Sequence, residues 1–462
     1  MTTQAGDTVF DSSQQVRSFT PEAGDEIKKA VNVRDDNISL GPSKAGLFGC
    51  YVFLTKSMMG AGMLQLASVC AAYGWILGIG LCIFAALMTI VALMFNCQLA
   101  KDHPGPIISF YTVSKHISPS ICWLIDIACI LDCFGACVGY VQTTGMMMSA
   151  TLLQLTGWSI TQSSLELYIK IIMVAILGPF CFARGISQGA ILSAVGLACI
   201  AYVCAMPLVY CFQTADDVVT PLWPSSFMGS LARLPVFFFA FSCMQNLFSV
   251  VNDIDHFTVK RVNTVCISAV STGLVIYLVV MCVPFAAYGV KTATIFLENY
   301  PQDQVPIQIA LIATAIQVSI GYVLVLHPTR QSVLSLWYRE EEPEARRERK
   351  LRYIITGILI LGTLGIALLT NSLDTVTEFT GLLGANTYCF TAPSYMFFMR
   401  YHPKYYKEYD EAGRSVAGNL AVTYTKSPHK ALWYLSIGCL ILSAILYPLC
   451  LSAIIYALAT KN

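Results

Sequence analysis

The sequence predicts an all-α polytopic membrane protein with eleven transmembrane helices. Of its 462 residues, 56% are hydrophobic and only 12% are charged, whereas soluble domains carry about 25% charged residues. Apolar stretches of about 20 residues, the length that crosses the hydrocarbon core of a bilayer, recur along the chain. They lie at 47–73, 75–100, 121–153, 166–183, 188–212, 231–251, 263–290, 305–327, 352–370, 379–399 and 432–459.

The charged residues give the orientation of these spans. Residues 1–45 are polar and mixed in charge, and we expect them to form a disordered cytosolic tail. With the N-terminus in the cytosol, 23 of the 28 Lys and Arg residues lie on the cytosolic side and 4 on the opposite side. Because cytosolic loops are enriched in Lys and Arg, the N-terminus is predicted to be cytosolic and the C-terminus to lie across the membrane.

Several classes of function find no support in the composition. Most of the 18 cysteines lie inside apolar stretches without metal-ligand spacing, so we interpret them as packing residues. No zincin motif, Ser/His/Asp arrangement or pair of carboxylates at metal-binding spacing is present. The net charge of +1 does not point to nucleic acid. We therefore expect no enzyme activity, no metal and no cofactor, and the lipid bilayer as the surrounding partner.

Glycines interrupt the middle of the first span. Gly60 and Gly62, with Ala61 between them, remove side chains from backbone at mid-membrane depth and permit the helix to unwind. Unwound backbone is tolerated at that depth only where it is buried or lines a cavity, and its freed amides can then bind a carboxylate. Close packing of two helices through small residues explains the same pattern equally well.

Polar residues interrupt the sixth span at Ser242–Asn246, which includes Cys243 and Gln245. Gln and Asn are costly at the bilayer midplane unless they are partnered, which indicates either a binding site or hydrogen bonds between helices. The two interruptions are five spans apart, so their spans start from opposite sides of the membrane. This spacing predicts inverted repeats at 46–212 and 231–400 and an extra helix at 432–459, with a site between the repeats.

Short segments follow one another in a recognisable order: Met58–Leu64 in the first span, Gly135–Tyr140 in the third, Phe241–Phe248 in the sixth, Asn299–Pro301 and His327–Arg330 around the eighth, and Thr380-Gly381 in the tenth. In this order they resemble motifs of the amino acid/auxin permease family, close to its sodium-coupled neutral amino acid transporters and vacuolar amino acid transporters. The resemblance covers 46–459. It implies a LeuT-like fold of two inverted five-helix repeats plus one helix.

The resemblance also implies where a substrate binds. The segment Gly60–Gly62 would offer backbone to the carboxylate of an amino acid. The residues of Ser242–Asn246, above all those around Cys243, would offer carbonyl groups to its amine. Tyr140 could form part of a gate, although an aromatic residue in a helix more often has a packing role.

Three positions depart from the family pattern. Lys56 stands where the family usually has an Asn that helps to form a sodium site. Gly321 replaces one of two hydroxyl residues in the eighth span, of which Ser319 remains, and Met244 replaces a His in the sixth. A bound sodium ion needs oxygen ligands, and an ammonium group would repel it. We therefore expect transport to be independent of sodium.

Lys56 is a charge at an unusual depth. It lies about ten residues into the first span, or roughly 15 Å from its start, near the middle of a hydrocarbon core of about 30 Å. Asp132 lies at a similar depth in the third span, so the two could pair. Alternatively, Lys56 donates to backbone carbonyls and Asp132 is hydrogen-bonded elsewhere. Asp126, nearer the cytosol, is expected to be solvated.

The ammonium of Lys56 also has a candidate role in coupling. Close to Ser319 or Asp132, it could stand in for the charge of a sodium ion, and it could take up and release a transported proton. The resulting interpretation is a secondary active transporter of small neutral amino acids that works by alternating access. Proton coupling is the favoured mechanism, with facilitated exchange second.

An amino acid sensor of the same fold, with little transport, is the alternative of a different class. Its signal would pass through the polar tail at 1–45, which carries no recognisable binding motif. The sequence leaves two locations open, the plasma membrane and a vacuole-like or lysosome-like membrane.

The odd number of spans makes a topological prediction. Tags at the two termini should lie on opposite faces of the membrane, with the N-terminal tag on the cytosolic face. Protease accessibility in sealed vesicles of known orientation measures this. Simultaneous protection, or simultaneous cleavage, of both tags would contradict eleven spans.

Overall fold

The structure, a computed structural model, describes residues 46–103, 108–182, 189–212, 217–337, 345–370, 372–402 and 430–460. Every regular element in these ranges is helical, which confirms the predicted all-α class for this part of the chain. The predicted tail at 1–45 lies outside the described residues.

The helices follow the apolar stretches of the sequence. In chain order they are α1 Leu47–Met58, α2 Ala61–Lys101, α3 Phe110–Ile117, α4 Cys122–Thr156, α5 Gln162–Cys181, α6 Gly189–Val209, α7 Phe227–Ala240, α8 Leu247–Asp253, α9 Val259–Tyr288, α10 Val305–Trp337, α11 Ala345–Leu369, α12 Leu373–Phe379, α13 Ala392–Arg400 and α14 Lys430–Thr460. A π-helix covers Thr380–Thr391 between α12 and α13. Short 3₁₀ turns lie at Met244–Asn246, Gly289–Lys291 and Phe296–Asn299.

Eight helical stretches in the described ranges are long and apolar enough to cross a membrane, and they match eight of the eleven predicted spans. One of them is Phe227–Asp253, which comprises α7, a 3₁₀ turn and α8. Two of the other spans consist of shorter pieces: the first is broken after Met58, and the tenth is divided into α12, the π-helix and α13. The fifth corresponds to α6, which has 21 residues. Interruption of the helices, rather than loss of apolar residues, accounts for the shorter pieces of the first and tenth spans.

The first and second predicted spans meet at a sharp corner inside α2. Gly74 has φ 75° and ψ 175°, a conformation that favours glycine. Just after the corner, the amides of Trp75 and Ile76 donate to the carbonyls of Pro221 and Leu222 at 3.1 and 3.2 Å. The loop before α7 therefore provides the hydrogen bonds that the corner cannot make within its own helix.

Helix α4 lies in the centre of the bundle and packs against α5, α10 and the π-helix. The expectation that Asp126 on this helix is solvated is wrong. The residue is 3% exposed, and the side chains of Ser332 and Ser335 on α10 hydrogen-bond to it. The sequence position of Asp126 indicates its depth in the span, but it does not show that α10 packs over the side chain and shields it from solvent.

Glycines allow the π-helix to approach α4 closely. A Cβ added at Gly384 would lie 2.5 Å from the backbone nitrogen and Cα of Asp132. A Cβ added at Gly135 would collide with the side chain of Thr380. Packing at this distance fixes the backbone of Asp132 against the tenth predicted span, and π-helices are often found at functional sites.

Polar contacts hold both ends of the tenth span. Arg233 on α7 contacts the two carboxylate oxygens of Asp374 at 2.6 and 2.7 Å and Glu378 at 3.2 Å. Both acidic residues belong to α12. At the other end of the span, the hydroxyl of Tyr401 donates to Asp102 at 2.6 Å. The interrupted tenth span is thus anchored to α7 at its start and to the end of α2 at its finish.

Replacing Gly384 by Ala should destabilise the protein, because the new methyl group overlaps the α4 backbone and overpacking costs about 1–3 kcal/mol. The melting temperature of the purified protein in detergent should therefore fall. Gly357 on α11 is the matched control, since a Cβ there meets nothing within 4 Å, and Ala is the better helix former. Equal melting temperatures for Gly384→Ala and Gly357→Ala would contradict the close approach.

Candidate functional site

The backbone of the first span is open at mid-helix, as predicted. Helix α1 ends at Met58 and α2 begins at Ala61. Between them, Met59 has φ −82° and ψ 90°, and Gly60 has φ −124° and ψ −155°, so both residues are extended. The amides and carbonyls at these two helix ends lack part of their intrahelical partners and are open to other groups.

The two glycines of this segment have different roles. A Cβ at Gly60 would lie 2.7 Å from the hydroxyl oxygen of Tyr140, so the absence of a side chain at Gly60 makes room for the Tyr140 side chain. A Cβ at Gly62 would lie 2.8 Å from the Cα of Ala240, so this one lets α2 pack directly on the end of α7. Both readings of the sequence pattern are therefore correct, since the helix opens at Gly60 and packs closely at Gly62.

The sixth span is also interrupted where the sequence predicts it. Helix α7 ends at Ala240, a 3₁₀ turn covers Met244–Asn246, and α8 begins at Leu247. Ser242 and Cys243 lie in the short stretch between α7 and the turn. The two open segments, one from each predicted repeat, lie side by side because Gly62 allows α2 to contact Ala240.

The hydroxyl of Tyr277 on α9 joins the two interruptions. It lies 2.9 Å from the carbonyl oxygen of Met58 and 2.7 Å from that of Ala240, so its single proton can be donated to either carbonyl. These carbonyls belong to the last residues of α1 and α7. Tyr277 is 0% exposed. Sequence reasoning missed it, because its span has no interruption and its only signal is one hydroxyl in an apolar stretch.

Two narrow cavities lie beside the interruptions and share Ser57 and Tyr140 in their walls. The break cavity is lined by Ser57, Met58, Gly60, Ala61, Gly62, Asp132, Ala136, Tyr140, Phe239, Ser242 and Gln245. The lysine cavity is lined by Phe53, Lys56, Ser57, Tyr140, Ser193, Asn246, Gly321, Leu324 and Val325.

The break cavity collects most of the residues predicted to bind substrate. Those in its wall are Gly60, Ala61, Gly62, Tyr140, Ser242 and Gln245. Asn246 lines the lysine cavity instead, and Cys243 is buried and lines neither of the two. Asp132, predicted as a position for coupling, lies in the break cavity beside the open backbone.

Lys56 and Asp132 do not pair. The Lys56 Nζ donates to Oε1 of Gln317 on α10 at 3.1 Å. The Asp132 Oδ2 accepts from the hydroxyl of Ser242 at 2.7 Å. Both charged residues are buried, with 3% and 2% exposure. Asp132 is thus hydrogen-bonded elsewhere, as the second alternative stated, whereas Lys56 donates to a side chain rather than to backbone carbonyls.

Lys56 lies where α1, α6 and α10 meet. A Cβ added at Gly196 on α6 would collide with the Lys56 side chain, so this glycine makes room for it. The sequence left open whether Lys56 lies close to Ser319 or to Asp132, and its hydrogen bond is instead to Gln317 on α10, in the eighth predicted span. Ser319 lies two residues further along α10, on a different face of the helix, and lines neither cavity.

The other two departures from the family pattern have structural partners. A Cβ at Gly321 would lie 3.1 Å from the ring of Tyr140, so the ring lies between Gly321 and Gly60. The glycine that removes a hydroxyl from the eighth span thus gives space to Tyr140. The Sδ of Met244 accepts from the side-chain amide of Asn96 at 3.0 Å.

The two cavities present both open backbone and ionisable side chains. No group of three or more His, Cys, Asp or Glu residues in the described part of the chain could hold a metal ion. The break cavity combines open backbone with the carboxylate of Asp132, and the lysine cavity adds the ammonium of Lys56.

Comparison with known proteins gives matches along most of the chain. Residues 44–410 match the model of a family described as transmembrane amino acid transporter protein. Vacuolar amino acid transporter 5 of Schizosaccharomyces pombe is 28% identical over 79% of this chain and 88% of its own length. Vacuolar amino acid transporter 6 of Saccharomyces cerevisiae is 25% identical over 61% of this chain and 64% of its own length. Amino acid transporter AVT6E of Arabidopsis thaliana is 23% identical over 76% of this chain and 75% of its own length.

Replacing Gln317 by Leu should destabilise the protein by about 2–3 kcal/mol, because the buried Lys56 ammonium would lose its acceptor. Lys56→Met removes the charge, so the double variant Lys56→Met, Gln317→Leu should be more stable than Gln317→Leu alone. Thermal unfolding of the four proteins in detergent measures this coupling. Strictly additive losses would contradict an energetically important hydrogen bond.

Proposed function

Because the chain belongs to the family of transmembrane amino acid transporter proteins, which residues 44–410 match, we propose that it is a secondary active transporter of small neutral amino acids that works by alternating access. The observation that carries this proposal is the pair of helix interruptions bridged by Tyr277 beside a buried cavity. Open backbone at membrane depth is typical of transporter sites, because half-helix ends can bind the charged groups of a substrate.

In this proposal the break cavity binds the substrate. The open backbone at Gly60–Gly62 receives the carboxylate, and the backbone around Ser242 receives the amine. Tyr140 acts as a gate, since its side chain stands in the walls of both cavities and packs against the first span. The narrow space and the glycines in its wall favour a small side chain.

The proposed architecture has eleven spans, arranged as inverted repeats at 46–212 and 231–400 followed by a helix at 432–459. The spacing of the two interruptions, five spans apart, supports this arrangement. The distribution of Lys and Arg supports a cytosolic N-terminus. In such an arrangement the substrate site lies where the repeats meet.

Lys56 replaces a coupling sodium ion in the proposed mechanism. Its ammonium is buried between α1 and α10 and is hydrogen-bonded to the neutral side chain of Gln317. The Lys56 ammonium would repel a second cation at this place, and the repulsion is stronger than in water because the surroundings are apolar. Transport is then independent of sodium. The proton taken up and released by Lys56 is the coupling ion, and facilitated exchange without net proton movement is the second mechanism.

We place the protein in a vacuole-like or lysosome-like membrane rather than the plasma membrane. Two of the relatives compared above are named vacuolar amino acid transporters. Microscopy of the tagged protein beside markers for both membranes tests this choice, and a plasma-membrane signal alone would contradict it.

Uptake in proteoliposomes tests the function and its coupling. Labelled neutral amino acids should accumulate equally well, within about twofold, when choline replaces sodium, and an imposed proton gradient should drive accumulation. A tenfold loss of uptake without sodium would contradict the role of Lys56. Specific binding of amino acid without flux would instead favour the sensor.

Variants of Lys56 separate charge replacement from proton transfer. Lys56→Gln should lose the pH dependence of uptake, and Lys56→Asn should gain a sodium requirement. The matched control is Lys170→Gln, which alters another buried lysine that pairs with Glu166 on α5 and lines neither cavity. Its ion dependence should equal that of the wild type.

A further inference from the structure

The side chain of Asp132 is a buried ionisable group that the proposed coupling mechanism does not use. It lines the break cavity together with the open backbone of Gly60–Gly62. Its Oδ2 accepts from the hydroxyl of Ser242, whereas its Oδ1 is buried and has no hydrogen-bond partner among the described residues. One oxygen of the carboxylate is therefore left for a group that enters the cavity.

The surrounding helices hold this carboxylate in place. The backbone of Asp132 lies against Gly384 of the π-helix, where even a methyl group would not fit. The hydroxyl of Ser242 lies between Asp132 and Cys389, at 2.7 and 3.3 Å. A hydroxyl has one proton to donate, and Asp132 receives it. The free oxygen is thus presented by a fixed side chain and not by a mobile one.

No residue in the described part of the chain supplies a cation to Asp132. None of the ion pairs in the described ranges includes it, Lys56 donates to Gln317, and Arg233 contacts Asp374 and Glu378. An ionised carboxylate without a counter-charge is costly in a buried place, and a cation from outside would remove that cost. Because Asp132 lines the break cavity, a cation held in that cavity would lie beside the carboxylate.

We propose that Asp132 binds the ammonium group of the substrate through its free Oδ1 and makes the site selective for amines. This inference rests on the proposed function and adds a charged partner on α4 to the open backbone of the two interrupted spans. An amino acid would then bridge the first span through its carboxylate and α4 through its ammonium. Because a site built around a polar partner rejects ligands that lack it, analogues without the amine should bind poorly.

Competition against labelled alanine uptake in proteoliposomes tests the inference, with propionate as the analogue that lacks only the amine. In the wild type, propionate should compete at least a hundredfold less well than unlabelled alanine. In Asp132→Asn, the apparent affinity for alanine should fall at least tenfold and its advantage over propionate should shrink at least tenfold. Asp126→Asn is the matched control, since this buried carboxylate on the same helix lines neither cavity.

The outcomes separate the inference from the function on which it rests. If the wild type takes up no amino acid, the proposed function fails and the inference fails with it. If Asp132→Asn takes up alanine with an unchanged preference over propionate, Asp132 does not bind the amine, although the function stands. Asp132→Glu is a second test, which is needed if the Asp132→Asn variant does not fold. It retains the charge and should retain the preference, so equal binding of propionate and alanine by Asp132→Glu would overturn the inference.

Discussion

The site depends on one constraint, which is that backbone groups freed inside an apolar bundle need hydrogen-bond partners. Helices α1 and α7 both end in mid-span, and the hydroxyl of Tyr277 lies within hydrogen-bonding distance of the last carbonyl of each. The direct contact between Gly62 and Ala240 brings these two ends together. Without that contact, one side chain could not reach both carbonyls, and the open segments would not share a cavity wall.

The second feature of the site is the separation of its two charges. Lys56 and Asp132 are each hydrogen-bonded to a neutral side chain, and Tyr140 stands in the walls of both their cavities. A direct ion pair would neutralise both groups and leave little for a ligand to bind. Kept apart, they leave a negative group beside the open backbone and a positive group in the neighbouring cavity.

The sequence predicted the interruptions well because glycines and amides are rare in the middle of apolar spans. It left open whether Lys56 lies close to Ser319 or to Asp132. The structure instead joins Lys56 to Gln317, because residues two apart on a helix lie on different faces. Tyr277 could not be found, because only packing brings its hydroxyl to two chain ends. The length of a span likewise could not reveal that α10 buries Asp126, or that the tenth span is divided by a π-helix.

The corner at Gly74 has a mechanical consequence. Its neighbours Trp75 and Ile76 donate to the loop that leads into α7, so the turn between the first two spans and the entry to the sixth share a small patch of backbone pairing. Pulling these parts away from each other would strip two amides of their acceptors. The part of the first span that precedes the corner and the start of the sixth are thus tied to each other at two places, at this backbone pairing and at the two helix ends beside Tyr277.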